Sequence, residues 1–307
     1  MRYAAVLNRD GGTLRNTDLA ALAGRMKTAL EGAGHTLIVE TVSGDKVSKA
    51  LDRAVAHHEV DTVLVGGGDG TVSAAAARLM DSRKALAVLP AGTMNLFARG
   101  LGIPQSLDAA IDAFANGRVA AVDIVTANGR PFVHQFSIGL HAKMVQLRDK
   151  MGFGSRLGKI GASARAAWIS IANPPAMDAT LTMADTEVTT RVSGIGITNN
   201  LFGEGHLPYA DDPAGGVLGI YVTVARRKGE LMKFALNLAR GRWRDNEHVE
   251  IHQADNLVLT VDAPAKRMRA VIDGELIGLE RRTELKIHPG ALRVLVPADS
   301  PLVKIES

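Results

Sequence analysis

The chain of 307 residues contains no cysteine, which excludes disulfide bonds and thiolate chemistry. Aromatic residues make up only 4% of it, and no apolar run is long enough to span a bilayer. Its first residues, from Met1 to Tyr3, lead straight into a strand-like segment and do not resemble a signal peptide. Hydrophobic residues at 46% and charged residues at 22% are typical of a globular protein. We therefore expect a cytoplasmic protein with one large domain or two ordinary ones.

The formal net charge is only +4, but the positive charge is concentrated in two stretches. Residues 141–165 contain six Lys or Arg and one acid, and residues 226–244 contain seven and one acid. Apolar residues recur in both at helical spacing, which favours amphipathic helices on an anionic membrane surface over groove recognition of nucleic acid. Trp168, Phe153 and Trp243 are candidate interfacial aromatics beside these basic residues. A solvated helix face and core-packed aromatics are the alternatives.

The order of segments predicts two domains of different class. Strand-like and helix-like segments alternate in the first third, which indicates an α/β domain with a mostly parallel sheet, residues 1–123. The rest, residues 124–307, is predicted to be a larger, mainly antiparallel β domain with helical insertions at the two basic stretches. Its last strand and tail could return to the first domain. The period-two segments are residues 132–138, 179–182, 188–197, 218–224, 257–261, 268–272 and 292–296.

A glycine-rich loop is the most informative motif of the first domain. An apolar β-branched run ends in residues 66–71, Gly-Gly-Gly-Asp-Gly-Thr, and residues 72–80 then read as a helix. This order lets backbone N–H groups approach phosphates. Asp69 is either a carboxylate beside a divalent cation or a helix cap. Residues 8–13 and 90–95 also follow strands, so we expect the three loops to gather at the carboxyl edge of the sheet.

The motifs together resemble the diacylglycerol kinase catalytic-domain family, which includes bacterial lipid kinases and the sphingosine and ceramide kinases. The resemblance covers nearly the whole chain in family order, whereas the first motif alone is also shared with NAD kinases. It implies the NAD kinase/diacylglycerol kinase-like fold. The segments that carry the resemblance are residues 67–71, 90–95, 98–104, 122–123, 132–139, 208–212, 271–275 and 289–297.

The resemblance also implies a site for ATP between the domains and a site for Mg²⁺. Asp273 would orient or deprotonate the acceptor hydroxyl, although Asp273-Gly274 is also a favoured hairpin turn. The Mg²⁺ ligands would include Asp69, with Asp123 and Asp212 as further candidates. Catalytic roles would thus fall to Asp273 and Asp69. The residues implied around the nucleotide are Asn8, Gly67, Gly68, Gly70, Thr71, Gly92, Thr93 and Asn95, with Glu275 in a supporting role.

Three positions depart from the family pattern. Leu96 stands where an aspartate is common, and Gly215 replaces one aspartate of the metal loop in which Asp212 is kept. The first loop, residues 8–12, has Asn-Arg-Asp-Gly-Gly where the family often has proline and serine. These departures bear on how many carboxylates could surround Mg²⁺.

The resulting expectation is an ATP- and Mg²⁺-dependent lipid kinase of phospholipid metabolism, attached peripherally to anionic membrane. Its acceptor could be diacylglycerol, a sphingoid base, phosphatidylglycerol or monoacylglycerol. An NAD kinase-like phosphotransferase with a soluble acceptor is one alternative, and an inactive nucleotide- or lipid-binding regulator is another. No nucleic-acid partner is expected. An unpaired sheet edge in the β domain could pair two chains into a homodimer.

Overall fold

The computed structural model describes residues 1–151, 156–184, 186–225, 227–242, 246–262 and 268–303. The backbone separates into two compact units. Unit 1 contains Met1–Ile124, Asp212–Gly215 and His288–Ser307, and unit 2 contains Val125–Asp211 and Gly216–Ile287. Two of the candidate interfacial aromatics, Phe153 and Trp243, lie outside the described residues.

Unit 1 has a parallel sheet, as the alternating pattern predicts. Its strands pair in the order β2-β1-β3-β4, and Val294 of the last strand of the chain continues the sheet beside Leu86 of β4. Every residue of β3 and β4 is buried, which accounts for their almost entirely apolar sequence. The strands are β1 (Arg2–Asn8), β2 (Thr36–Val42), β3 (Thr62–Gly67) and β4 (Ala85–Pro90).

Five α-helices and two 3₁₀ turns belong to unit 1. In α1 the buried side chains Leu22, Met26 and Leu30 repeat every four residues, and the Asp18 carboxylate caps the helix by accepting from Ala20 N. The helices are α1 (Leu19–Gly32), α2 (Val47–Ala56), α3 (Asp69–Leu79), α4 (Leu96–Gly100) and α5 (Leu107–Ala115), with 3₁₀ turns at Gly12–Asn16 and Gly44–Lys46.

Unit 2 consists mainly of antiparallel strands around one apolar core. A six-stranded sheet has the order β12-β11-β10-β7-β14-β15, and β8 pairs with both β9 and β13. Phe136, Ile195 and Leu259, which come from both groups of strands, share the same buried cluster. The strands are β5 (Arg118–Ala127), β6 (Arg130–Phe132), β7 (Gln135–Gly139), β8 (Met177–Met183), β9 (Thr186–Val192), β10 (Gly194–Asn199), β11 (Leu218–Thr223), β12 (Val249–Ala254), β13 (Asn256–Asp262), β14 (Arg269–Ile272), β15 (Glu275–Gly278) and β16 (Arg282–Val296), of which β5 and β16 run from one unit into the other.

The two basic stretches form helices, as their spacing predicts. Residues 141–165 overlap α6 (Leu140–Met151) and α7 (Arg156–Ala172), and residues 226–244 overlap α8 (Lys228–Ala239). Ile171 of α7 and Leu231 of α8 share a small buried cluster. Within the described ranges, no helix combines the length and the apolarity that crossing a membrane requires.

Several predicted boundaries are wrong by a few residues. Helix α3 begins at Asp69, three residues before the expected start. The expected strand 132–138 is divided into β6 and β7, and the expected strand 188–197 is divided into β9 and β10. The second division arises because β9 pairs with β8, whereas β10 pairs with β7 and β11 of the six-stranded sheet.

Candidate active site

Three loops of unit 1 meet at the carboxyl ends of the parallel strands, as predicted. A Cβ atom on Gly11 would lie 3.2 Å from Gly67 Cα, and one on Gly92 would lie 3.4 Å from Gly68 Cα. The backbone N–H of Thr13 also donates to Ala91 O at 2.8 Å. The first loop (residues 8–13), the glycine-rich loop (residues 66–71) and the proline-led loop (residues 90–95) therefore touch one another through their main chains. Their peptide groups are thus brought close together.

The side chain of Asn8 joins the first loop to the glycine-rich loop. Its Nδ2 donates to Thr71 Oγ1 at 3.3 Å, and its Oδ1 accepts from Asp10 N at 3.1 Å. Thr71 is buried and lies so close to Gly67 that a Cβ there would be 2.5 Å from Thr71 Oγ1. The structure thus brings together Asn8, Gly67 and Thr71, three of the residues implied around the nucleotide.

Asp69 is the first residue of α3 and not its cap. The N-cap is Gly68, which makes no side-chain cap hydrogen bond, and its carbonyl accepts from the N–H groups of Thr71 and Val72. The N–H of Gly70 precedes these bonds, so it is available to an anion at the helix N-terminus. Asp69 therefore does not occupy the N-cap position, and it is partly exposed in the first turn of α3.

Carbonyl groups of the proline-led loop accept hydrogen bonds from two nearby polar side chains. Asn95 has a left-handed backbone (φ 51°) and its Nδ2 donates to Pro90 O at 3.2 Å. Arg99 Nε donates to Met94 O at 3.0 Å. Asn95 occupies the N-cap position of α4, and Thr93 is exposed. Thr93 is thus a residue of this loop whose hydroxyl solvent or a ligand can reach.

The carboxylates implied for Mg²⁺ have different settings. Asp123 is 1% exposed and accepts from Gly290 N at 2.9 Å, whereas Asp212 is exposed and accepts from Ala214 N at 2.9 Å. Among the residues that the structure describes, no group of three His, Asp or Glu side chains could hold a metal ion. Protein carboxylates alone therefore do not form a metal cage here.

In unit 2, Asp273 occupies the two-residue turn between β14 and β15 with a left-handed backbone (φ 45°). Its side chain is 8% exposed. Oδ1 accepts from the N–H groups of His134 and Gln135, and Oδ2 accepts from Val133 N, all at 3.0 Å. A carboxylate has about four lone-pair positions, so these three bonds fix the group and leave one position on Oδ2 for another donor. Asp273 is thus both a hairpin residue and an anchored carboxylate.

Glu275 has a different environment from Asp273. Its side chain is 60% exposed and pairs with Arg130 at 3.0 Å, between Glu275 Oε2 and Arg130 Nη2. Glu275 thus forms an exposed ion pair, and its role toward a nucleotide stays a prediction.

Sequence reasoning missed the loop that holds Asp273. This loop consists of residues 133–135. The carbonyl of Val133 accepts from the side chain of Asn199, and the carbonyl of His134 accepts from the backbone N–H of Asn199. The N–H donors of the loop lie 138 to 140 residues away from Asp273 along the chain. Nothing in the local sequence indicates such a contact. In the structure it coincides with the break between β6 and β7.

The fold and these motifs define a class of protein. Residues 2–127 match the family described as "Diacylglycerol kinase catalytic domain". Residues 136–296, more than half of the chain, match "YegS C-terminal NAD kinase beta sandwich-like domain". The chain therefore belongs to the diacylglycerol kinase catalytic-domain family, which confirms the resemblance read from the motifs.

Individual relatives agree with this assignment. The chain is 29% identical over 254 residues to the Synechocystis protein named "Uncharacterized protein sll0036", covering 78% of this chain and 55% of that protein. It is 36% identical over 102 residues to a Yersinia pestis (strain Pestoides F) protein named "Probable lipid kinase YegS-like", covering 32% of this chain and 30% of that protein. The chain thus spans about half or less of the length of these relatives.

Solved structures support the fold. A crystal structure described as a diacylglycerol kinase from Bacillus anthracis str. Sterne has a TM-score of 0.71 and 18% sequence identity. The similarity covers 97% of this chain and 98% of that one. At this identity the comparison speaks for the α/β and β-sandwich architecture alone.

Proposed function

We propose that this protein is an ATP- and Mg²⁺-dependent lipid kinase that transfers the γ-phosphoryl group to a hydroxyl of a membrane lipid. The observation that carries the proposal is the meeting of three backbone loops beside the N-terminus of α3 in unit 1. Phosphoryl transfer depends on positioning and charge neutralisation, which such a cradle of N–H groups supplies. Family membership and the name of the Yersinia relative support the lipid as acceptor class.

The first step is recognition of the nucleotide phosphates. The N–H of Gly70 and the exposed hydroxyl of Thr93 are donors at the cradle. The contact between Asn8 and Thr71 holds the loops in position before ATP binds, which reduces the ordering that binding requires.

Asp273 is the proposed base. The free lone-pair position on Oδ2 can accept the hydrogen of the acceptor hydroxyl, while the three N–H donors keep the carboxylate from rotating. In this role Asp273 orients the hydroxyl oxygen and receives its proton as that oxygen bonds to the γ-phosphorus, while the bond from the γ-phosphorus to the β,γ-bridging oxygen breaks and ADP leaves.

Asp69 is the residue of the cradle that best fits a Mg²⁺ ion. Mg²⁺ is commonly held by one or two carboxylates, phosphate oxygens and water, and Asp69 at the start of α3 is suited to such an arrangement. When bound, the ion would neutralise charge on the phosphates. Asp123 and Asp212 are further candidates, but the hydrogen bond from Gly290 already uses one oxygen of the buried Asp123.

Peripheral membrane attachment is part of the proposal. Trp168 of α7 is 62% exposed, and Met232 and Leu236 of α8, one turn apart, are 41% and 49% exposed. Arg165 and Lys233 are exposed on the same two helices, which pack together through Ile171 and Leu231, and we call these five residues the α7–α8 surface. Exposed apolar side chains with cations on the same helices match an anionic membrane, because the rings and chains enter the interface while the cations meet lipid phosphates. An open depression of about 490 Å³, lined by Met151, Gly161, Ala162 and Arg165, also lies at α7.

The test is transfer from labelled ATP to a panel of diacylglycerol, monoacylglycerol, sphingosine and phosphatidylglycerol, with NAD in parallel. We expect a labelled lipid that requires Mg²⁺, and loss of the product in Asp69→Ala without loss of the fold. Label on NAD alone would favour the soluble phosphotransferase. ATP binding without any product would favour an inactive regulator, the function to which Leu96 and Gly215 point.

A further inference from the structure

The loop that holds Asp273 also fixes the ring of His134. The backbone N–H of His134 donates to Asp273 Oδ1, and its carbonyl accepts from Asn199 N at 3.0 Å. Its imidazole stacks on Phe202, with ring centroids 5.2 Å apart and planes inclined by 19°. Phe202 is itself buried and stacks on Tyr221. The backbone of His134 and one face of its ring are therefore both held in place beside Asp273.

The ring nitrogens of His134 are not used by the fold. Neither makes a hydrogen bond to any residue in the described ranges, and the side chain is partly exposed. The nearby His141 differs, because its Nδ1 shares a 2.6 Å hydrogen bond with Ser137 Oγ. His134 therefore presents a fixed aromatic face to Phe202 and polar ring atoms that have no partner within the structure.

Both histidines are neutral near pH 7. Burial lowers the pKa of His134, and the negative charge of Asp273 opposes this only in part. Burial, together with the neighbouring His134 and Arg148, lowers the pKa of His141 to about 4. A neutral imidazole carries one donor and one acceptor nitrogen. The group beside Asp273 is thus a hydrogen-bonding ring without charge, which suits a neutral polar part of a ligand.

We propose that His134 is a substrate-positioning residue that hydrogen-bonds the polar group next to the acceptor hydroxyl of the lipid. The inference rests on the proposed function, because it takes Asp273 as the group that holds the hydroxyl. It narrows the substrate class to lipids whose hydroxyl neighbours an ester, an amide, an amine or a second hydroxyl. A simple long-chain alcohol offers His134 no partner.

Two variants separate the ring nitrogens from the ring itself. His134→Phe keeps an aromatic ring for stacking on Phe202 and removes both nitrogens, whereas His134→Gln keeps a donor and an acceptor. Kinetics are measured with 1,2-dioctanoylglycerol micelles, or with sphingosine if the panel identifies a sphingoid acceptor. We expect His134→Phe to raise KM for the lipid about tenfold, the effect of one lost hydrogen bond, with KM for ATP unchanged. His134→Gln should recover most of the loss, and His252→Phe, at an imidazole elsewhere in unit 2, should have no effect.

The pH dependence of KM for the lipid distinguishes a hydrogen bond from the His134 ring to the substrate from a purely structural role. Protonation removes the acceptor nitrogen of His134, so the wild-type KM for the lipid should rise as the pH falls through the lowered pKa of this ring. The groups that influence this titration are Asp273 and His141, with Arg148 acting beside His141. His134→Gln should lack this rise while keeping any acid limb that belongs to Asp273.

The outcomes are distinguishable. A folded His134→Phe with wild-type KM and an unchanged pH profile would overturn the inference. If His134→Phe does not fold, the pH profile of His134→Gln decides, and an acid rise equal to that of wild type overturns it. A wild-type protein that phosphorylates no lipid in the panel contradicts the proposed function itself. Equal turnover of dioctanoylglycerol and 1-decanol by wild type would refute the substrate class alone.

Discussion

A Cβ atom on Gly12 would lie 1.7 Å from the carbonyl oxygen of Ala91. Gly12 also has a left-handed backbone (φ 52°), which side chains rarely adopt. The first loop and the proline-led loop are therefore in contact main chain to main chain, and only glycine permits this approach. The cradle thus depends on backbone geometry at a residue that carries no chemistry of its own.

Replacing Gly12 tests this contact. We expect Gly12→Ala to lower the free energy of unfolding by about 2–4 kcal/mol, because the methyl group must displace backbone atoms and the φ angle is strained. Gly24→Ala is the matched control, since a Cβ in that part of α1 meets no atom within 4 Å. It should stabilise the protein by about 0.5–1 kcal/mol. Equal effects of the two variants in urea unfolding would contradict the close approach.

The hydroxyl of Thr71 is expected to support ATP binding indirectly. Thr71→Val keeps the shape of the side chain and removes the acceptor of the Asn8 amide, so the first loop loses one anchor. We expect the Kd for ATP, measured by calorimetry, to rise about three- to tenfold, as the loss of one hydrogen bond predicts. Thr71→Ser should bind like wild type. A Kd that does not change in Thr71→Val would show that the anchor is dispensable.

His134 and His141 should lower the free energy of unfolding in weak acid. The pKa of His141 is lowered to about 4 in the folded protein, against about 6.5 for an unperturbed histidine. Between these values the unfolded chain binds more protons, so the free energy of unfolding decreases as the pH falls through this window and is fully retained above it. The lowered pKa of His134 acts in the same direction.

His141→Gln isolates this effect, because the amide does not titrate and can still bond to Ser137. The loss of unfolding free energy between pH 7 and pH 4.5 should be smaller in the variant by roughly 2 kcal/mol. Urea unfolding at the two pH values measures it. An identical loss in both proteins would show that His141 has no part in the acid sensitivity.

Trp168 should contribute to membrane binding. We expect Trp168→Ala to weaken binding to phosphatidylglycerol vesicles roughly tenfold in sedimentation assays, because the exposed ring loses its burial in the interface. Ile38→Ala provides the control, since Ile38 is 55% exposed on β2, which belongs to unit 1 and is not part of the α7–α8 surface. Higher salt should weaken the wild-type interaction. Equal loss in both variants, or none in either, would contradict the assignment of this surface.

The sequence predicted the parts of the site that depend on local pattern. Buried β-branched runs followed by glycines located β3 and the loop after it, and the rule that ligands collect at the carboxyl ends of parallel strands predicted the meeting of the loops. Asp273-Gly274 was recognised as a turn because this dipeptide accepts left-handed backbone angles.

Long-range contacts could not be predicted in the same way. The period-two pattern of residues 132–138 suggested one strand, but the N–H groups at residues 133–135 donate to the Asp273 carboxylate. His134 lies in the same loop, and its stacking on Phe202, 68 residues further along the chain, carries no local signal. Residues 188–197 similarly change sheets at Ser193, where a Cβ on Gly194 would lie 3.2 Å from Ile138 O.

Phosphoryl transfer by Asp273→Asn tests the central claim most directly. Labelled ATP, Mg²⁺ and the lipid panel are given to wild type, to Asp273→Asn and to Asp178→Asn, whose exposed ion pair with Arg191 is worth little. We predict that wild type labels a lipid, that Asp178→Asn retains most of this rate, and that Asp273→Asn loses about 10²- to 10⁴-fold in kcat while its ATP affinity is kept. Equal rates of lipid labelling by wild type and Asp273→Asn would contradict the account.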